Sequence, residues 1–280
     1  MPASHPLFDG LEQTHLTFEG HDTVVPLRYH SGTAMLGVFA ARSRALIAKA
    51  PHPSLRPATI APGISPVVVI GFEFVTDIGP VNELCVAVPL RRGPLPIPFA
   101  ALAAGVLEGS LPTWIWHLPV STEIANVVGR QMWGFPKIHA EIHIAEDAGG
   151  NRTTRLAENG APILTLHGPA LHGSHTLRLP MLNHIWQDNA HVQTAEHEFR
   201  LADVGLNLMP GSARLQLLSD HPIARDLDDV LISRRSIAYA HARSLQALLG
   251  MPQHLTPALL HRYRTAAETR DARSAERCVA

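Results

Sequence analysis

The sequence predicts an α+β domain in which strands dominate. Three observations carry that expectation. Twenty-three prolines in 280 residues cut the chain into short segments, which suits sheets and turns better than a helical bundle. Residues 66–75 are rich in β-branched and aromatic side chains, as strands are. After Lys137 the chain alternates, with Ile138, Ala140, Ile142 and Ile144 on one face and Lys137, His139, Glu141 and His143 on the other.

Composition narrows the class. A hydrophobic content of 46% with 17% charged residues suits a globular chain with a sizeable core. A net charge of −1 gives no electrostatic case for binding nucleic acid or an anionic membrane. No apolar run is long enough to span a bilayer, and the N-terminal stretch lacks the basic and apolar parts of a signal peptide. Cys85 and Cys278 lie far apart and form no disulfide framework, so a cytoplasmic location is expected. The expected organisation is one domain over residues 1–255, beginning with an arm or peripheral strand over 1–25, and a helical, Arg-rich extension over 256–280.

The elements follow in order. Residues 28–40 read as a strand, and 43–50 as a short helix ended by Pro51. Beyond the strand at 66–75, a turn at 77–80 leads to a strand at 82–90. One face of that strand carries Leu84, Val86, Val88 and Leu90; the other carries Glu83 with the small Cys85 and Ala87, which leaves room for a ligand. A Pro-rich loop at 91–98 and a short helix at 99–107 precede a strand at 112–118. Ser121 or Thr122 caps a helix running to Trp133, with Ile124, Val127 and Val128 as its buried stripe. A turn at 147–151 and strand segments at 153–156, 163–167, 198–208 and 213–218 come next. Residues 230–247 suit a strand or a helix, and 257–275 a helix.

The most informative stretch is 127–137. Gly134 can take the left-handed conformation that closes a helix, and Pro136 cannot continue one. Lys137 is therefore held by a stiff turn. Here the chain resembles the acetoacetate decarboxylase family, which has a Gly-Arg-Glu segment and then a Tyr- or Phe-Pro-Lys turn whose lysine forms a Schiff base. The corresponding residues are Gly129-Arg130-Gln131 and Phe135-Pro136-Lys137. The resemblance extends over about residues 33–250 and is clear again around 211–221. It implies a curved, partly closed, barrel-like antiparallel sheet with a few peripheral helices and a cavity on its concave side. It also implies a homo-oligomer, and chemistry that needs no cofactor. Two departures stand out. The family's second lysine, directly after the first, is Ile138 here, and Gln131 replaces a glutamate.

By the resemblance, Lys137 is the Schiff-base lysine and Glu83 the functional glutamate that follows a glycine-containing turn. A Schiff base needs a neutral amine, whereas an ordinary lysine titrates near ~10.4. Burial or a neighbouring cation is needed to release its proton. The plainer alternative is a surface lysine opening a strand. Arg28, Trp133, His139 and Glu141 are expected around the substrate: Trp133 as a roof, His139 and Glu141 from the strand face of Lys137, Arg28 by proximity. Arg130, near a helix C-terminus, has a structural explanation in the helix dipole. Among 18 histidines none sits in a zinc signature, so no metal is expected. The expected activity is that of a lyase on a small keto acid, first a decarboxylase of acetoacetate or another β-keto acid. An aldolase-dehydratase condensing pyruvate with an aldehyde, and a non-catalytic binding module for a small ligand, are the alternatives.

Overall fold

The structure, a computed structural model, describes residues 7–91, 110–187 and 191–251. The loop and helix expected over 92–107 and the C-terminal helix lie outside the described residues. The first elements are a hairpin of β1 (Thr14–Phe18) and β2 (His21–Val25). Leu16, Phe18 and Val25 are buried in the main core, so this part of the expected arm is an integral hairpin.

Seven strands close into a ring. They are β3 (Leu27–Arg42), β4 (Ile64–Thr76), β5 (Gly79–Pro89) and β6 (Leu111–His117), joined by β10 (His175–Gln187), β11 (His191–Asn207) and β13 (Ala238–Leu249). The order is β10-β11-β13-β3-β4-β5-β6 and back to β10. Every neighbouring pair is antiparallel except the closing one: Met181–His184 of β10 runs parallel to Leu111–Trp114 of β6. The expected curved, barrel-like antiparallel sheet is present, and one parallel pair closes it into a ring. Closure leaves the ring no free edge.

The period of two along each strand sorts side chains between two cores. On β5, Val81, Cys85 and Ala87 join the interior cluster, while Leu84, Val86, Val88 and Leu90 join the exterior one. The exterior face is covered by a four-stranded sheet of β7 (Glu141–Glu146), β8 (Asn151–Glu158), β9 (Ala161–Pro169) and β12 (Arg214–Leu217), ordered β12-β9-β8-β7. Gly71 of β4 makes one close approach possible, since a Cβ there would collide with the Thr154 side chain of β8. Helix α1 (Ser43–Lys49) and helix α3 (Pro222–Val230) add Leu46, Ile223, Leu227 and Val230 to this outer core.

Residues 230–247 divide at a clear point. Helix α3, absent from the sequence expectations, ends at Val230, and β13 begins at Ala238. Pro222 opens that helix and the His221 side chain accepts a hydrogen bond from the Ile223 N–H at 3.2 Å, a good N-terminal cap. Among the described residues, no helix is long and apolar enough to cross a membrane.

Candidate active site

Helix α2 (Glu123–Trp133) positions the central lysine. Thr122 caps it, its hydroxyl accepting from the Ala125 N–H at 3.4 Å. The buried face holds Ala125, Val128, Gly129, Met132 and Trp133, spaced as one helical stripe. Of the expected stripe, Val128 is buried, while Ile124 and Val127 are partly buried against the same core. The helix stops as its sequence requires. Gly134 adopts φ 71°, and its N–H and that of Phe135 donate to the last carbonyls, Arg130 O at 3.0 Å and Gly129 O at 3.1 Å. Pro136 follows, and Lys137 N–H donates to Phe135 O at 2.7 Å.

This tight return folds the lysine side chain back across the helix. A Cβ on Gly129 would lie 2.5 Å from Lys137 Cδ and 2.6 Å from Cε. Only a residue without a side chain leaves that passage open. Lys137 Nζ then donates to Glu83 Oε1 at 2.9 Å, with the two side chains 6% and 8% exposed. The Phe135 ring centroid lies 5.8 Å from Nζ. Glu83 sits on β5 opposite Phe72 of β4 and points to the ring interior together with Cys85 and Ala87.

Lys137 and Glu83 border a cavity of about 50 Å³ with mostly apolar walls. Phe72, Phe74, Ile115, Leu118, Phe135 and Phe199 supply much of that wall. Four further residues give it chemistry. Tyr29 packs edge-on to Phe74 and against His197; burial, and then the Glu83 charge, hold its phenol well above the usual range. Burial, reinforced by Glu83, also pushes the Cys85 thiol up, so Cys85 offers a thiol and not a thiolate. His197 is driven down to about 3 by burial and then by the Lys137 charge, so it is a neutral imidazole. Asn183 is buried, and its Oδ1 and the His197 Nε2 have no hydrogen-bond partner. Two polar atoms without partners in a reactive cavity are ready to receive a guest's polar groups.

Tyr29, Asn183 and His197 were not anticipated. A signal existed for His197: Ala195, His197 and Phe199 alternate inward on β11. Asn183 stands between Leu182 and His184, and nothing local says which face it takes.

The other expected site residues divide. Trp133 is buried and lines a second small space shared with Lys137, Glu83 and Gly129, while its indole N–H donates to Gly250 O at 2.9 Å. His139 and Glu141 are not at the site. Strand β7 starts only at Glu141, so Lys137 is not part of its alternation and turns inward where those residues turn out. His139 is exposed beside Glu123 at 3.4 Å, and Glu141 accepts from the Gly160 N–H at 2.9 Å. Arg28 is also elsewhere. Its guanidinium reaches Asp77 at 3.3 Å and its N–H donates to the same carboxylate at 2.9 Å. Among the described residues, no group of three or more His, Cys, Asp or Glu is arranged to hold a metal ion.

A cavity with a buried amine and carboxylate on one wall is in keeping with what sequence comparison gives. The family model for acetoacetate decarboxylase (ADC) matches residues 17–254. The chain belongs to the acetoacetate decarboxylase family. Solved structures agree on the fold. One acetoacetate decarboxylase superposes with TM-score 0.54 at 18% identity, over 81% of this chain and 87% of that one. The enzyme from Legionella pneumophila gives 0.56 at 15%, over 91% and 92%. MppR, an enduracididine biosynthesis enzyme solved with the condensation product of pyruvate and imidazole 4-carboxaldehyde, gives 0.53 at 13%, over 80% and 87%. A comparison with curated proteins gives no match.

In this acetoacetate decarboxylase fold, Ile138 is the residue after Lys137. Ile138 is partly buried against the exterior core, not the cavity. Among the described residues lining either space, Lys137 is the only lysine or arginine. Among the described residues, the amine therefore faces one carboxylate and a mostly apolar wall, with no second cation lining either space.

Proposed function

We propose that this chain is a lyase that decarboxylates a β-keto acid through a Schiff base on Lys137. The observation that carries the proposal is the buried Lys137–Glu83 pair at 2.9 Å on the wall of an apolar cavity. Burying two opposite charges is costly, and passing one proton from the ammonium to the carboxylate removes both. That transfer yields the neutral amine that attacks a ketone and the neutral acid that assists it.

Lys137 Nζ adds to the ketone carbon, giving a carbinolamine. Glu83 protonates its hydroxyl, water leaves, and an iminium faces a Glu83 carboxylate. The bond to the carboxylate carbon breaks, its electron pair enters the iminium, and CO2 departs to leave an enamine. A solvent proton adds to the enamine carbon. Water then adds to the iminium, Glu83 takes a proton from it, and the ketone leaves. Glu83 thus acts as acid and base in turn. Apolar walls such as Phe72 and Phe199 help the middle step, because a desolvated carboxylate becomes neutral CO2.

A second reading has its own support. Aldol condensation followed by dehydration must hold a second carbonyl and a departing hydroxyl. Asn183 Oδ1 can accept from the aldol hydroxyl, and His197 Nε2, in its N–H tautomer, can donate to the carbonyl oxygen; both lack partners. Product analysis separates the two. Acetone and CO2 from acetoacetate, or the corresponding ketone from a longer β-keto acid, support decarboxylation. An unsaturated condensation product from pyruvate plus an aldehyde, without CO2 release, supports the second reading. Binding of keto acids with neither product makes the chain a binding module and refutes both.

A further inference from the structure

The ring interior holds another cavity, of about 160 Å³, whose lining among the described residues is all Ala, Val, Leu, Ile, Met and Phe. Four of its lining residues, Ile70, Phe72, Met181 and Phe199, also line the cavity in front of Lys137. The two spaces share an apolar wall. Met181, unbranched and adaptable, is its most movable member.

The register explains the empty space. Glu83 is opposite Phe72, Phe72 opposite Ala34, Ala34 opposite Ala242, and Ala242 opposite Val204. One row of paired positions thus crosses five strands from the acid to the chamber. At the usual spacing of ~4.8 Å per strand, Ala34 is about 10 Å from Glu83. Ala34 and Ala242, with Ala240 two residues before Ala242, leave open what larger side chains would fill. Leu177 and Leu206, 41% and 51% exposed, also line the chamber and connect it to the surface. An apolar chamber of this size accepts an apolar guest; an engineered one of about 150 Å³ takes benzene. It offers a guest no polar anchor, whereas Lys137 next door offers a covalent one.

We infer that the substrate carries an apolar chain or ring of about six carbons, seated in the Ala34–Ala240–Ala242 chamber while its ketone meets Lys137. This rests on the Schiff-base reading above and narrows its substrate class to medium-chain or cyclic apolar keto acids.

Two series of ligands test it on the full-length protein. The first is turnover of β-keto acids from 3-oxobutanoate to 3-oxooctanoate. The second is calorimetric binding of 2-butanol to 2-octanol, which cannot form an iminium. The expected result is a gain of about fourfold per methylene in kcat/KM and in affinity, matching full burial of each methylene. Ala242→Leu and, as a milder filling, Ala34→Val should flatten both slopes. Flat series in the wild-type protein, or slopes that neither variant alters, overturn the inference. Turnover of short keto acids with flat slopes leaves the amine chemistry standing and removes the chamber. Sloped alcohol binding without turnover of any keto acid does the reverse. A second copy of the chain is the rival occupant: a flat series together with an oligomer that Ala242→Leu dissociates would also overturn the inference.

Discussion

Gly129 and Lys137 compete for one space. The lysine stem passes over the glycine Cα so closely that a Cβ would stand 2.5 Å from Cδ. Gly129→Ala should gain about 1 kcal/mol from helix propensity. Overpacking against the stem should cost about 1–3 kcal/mol, so the net change is small or unfavourable. Function is the sharper readout. Displacing the amine by about 1 Å should lower kcat by roughly 100-fold while circular dichroism stays native. An alanine variant with full kcat would show that the amine needs no such passage.

Glu83→Gln keeps the shape of the acid but leaves a buried ammonium without its counter-charge. The single variant should lose about 3–5 kcal/mol of stability, as should Lys137→Met. The double variant removes both charges and should be more stable than either single one, which requires a coupling of at least about 3 kcal/mol in urea unfolding. Purely additive losses would mean that the two side chains do not share a proton or a charge.

Acid stability should report on His197. Its imidazole is held down at about 3 by burial and then by the Lys137 charge, against ~6.5 for an unfolded histidine. Below about pH 6.5 the unfolded chain binds a proton that the folded chain refuses. The stability is therefore complete above that pH and is lost as pH falls toward 3, at up to about 1.4 kcal/mol per pH unit. His197→Phe should be less acid-sensitive over this window in pH-dependent urea unfolding. His241, also lowered by burial, acts in the same direction in both proteins and cancels in the comparison. Parallel pH profiles would contradict the assignment.

Arg28, His139 and Glu141 form a control group. Arg28 serves Asp77, whose carboxyl lies below its usual value: partial burial alone would raise it, but hydrogen bonds from the Arg28 N–H and side chain, Gln13 and His30 prevail. Arg28→Met should cost about 1 kcal/mol, discounted because the guanidinium is partly exposed. That stability is present above the unfolded carboxylate's pKa and is lost as pH falls through the lower folded value. KM for a keto acid should change less than about twofold in Arg28→Met, His139→Ala and Glu141→Ala, because none of these side chains lines the cavity.

The sequence made some of this site legible because its cause is local. Gly134 and Pro136 end a helix by their own backbone chemistry, and alternation alone turned Glu83, Cys85 and Ala87 to one side. The inward turn of Lys137 was not legible as strand alternation, since β7 begins only at Glu141. Asn183 and His197 reach the cavity from β10 and β11, far along the chain, and only the closed ring brings them to Lys137. The parallel closure of β6 on β10 likewise depends on the curvature of the whole sheet. Helix α3 escaped notice because it is short and lies in a stretch with an equally good extended pattern nearby.

The account stands or falls on covalent capture by one amine. Borohydride reduction in the presence of acetoacetate, followed by peptide mass mapping, tests it directly. The predicted result is a reduced acetone adduct on the peptide carrying Lys137, absent from Lys137→Met and strongly diminished in Glu83→Gln. Active, folded protein that turns over acetoacetate yet yields no adduct at Lys137 would contradict the account.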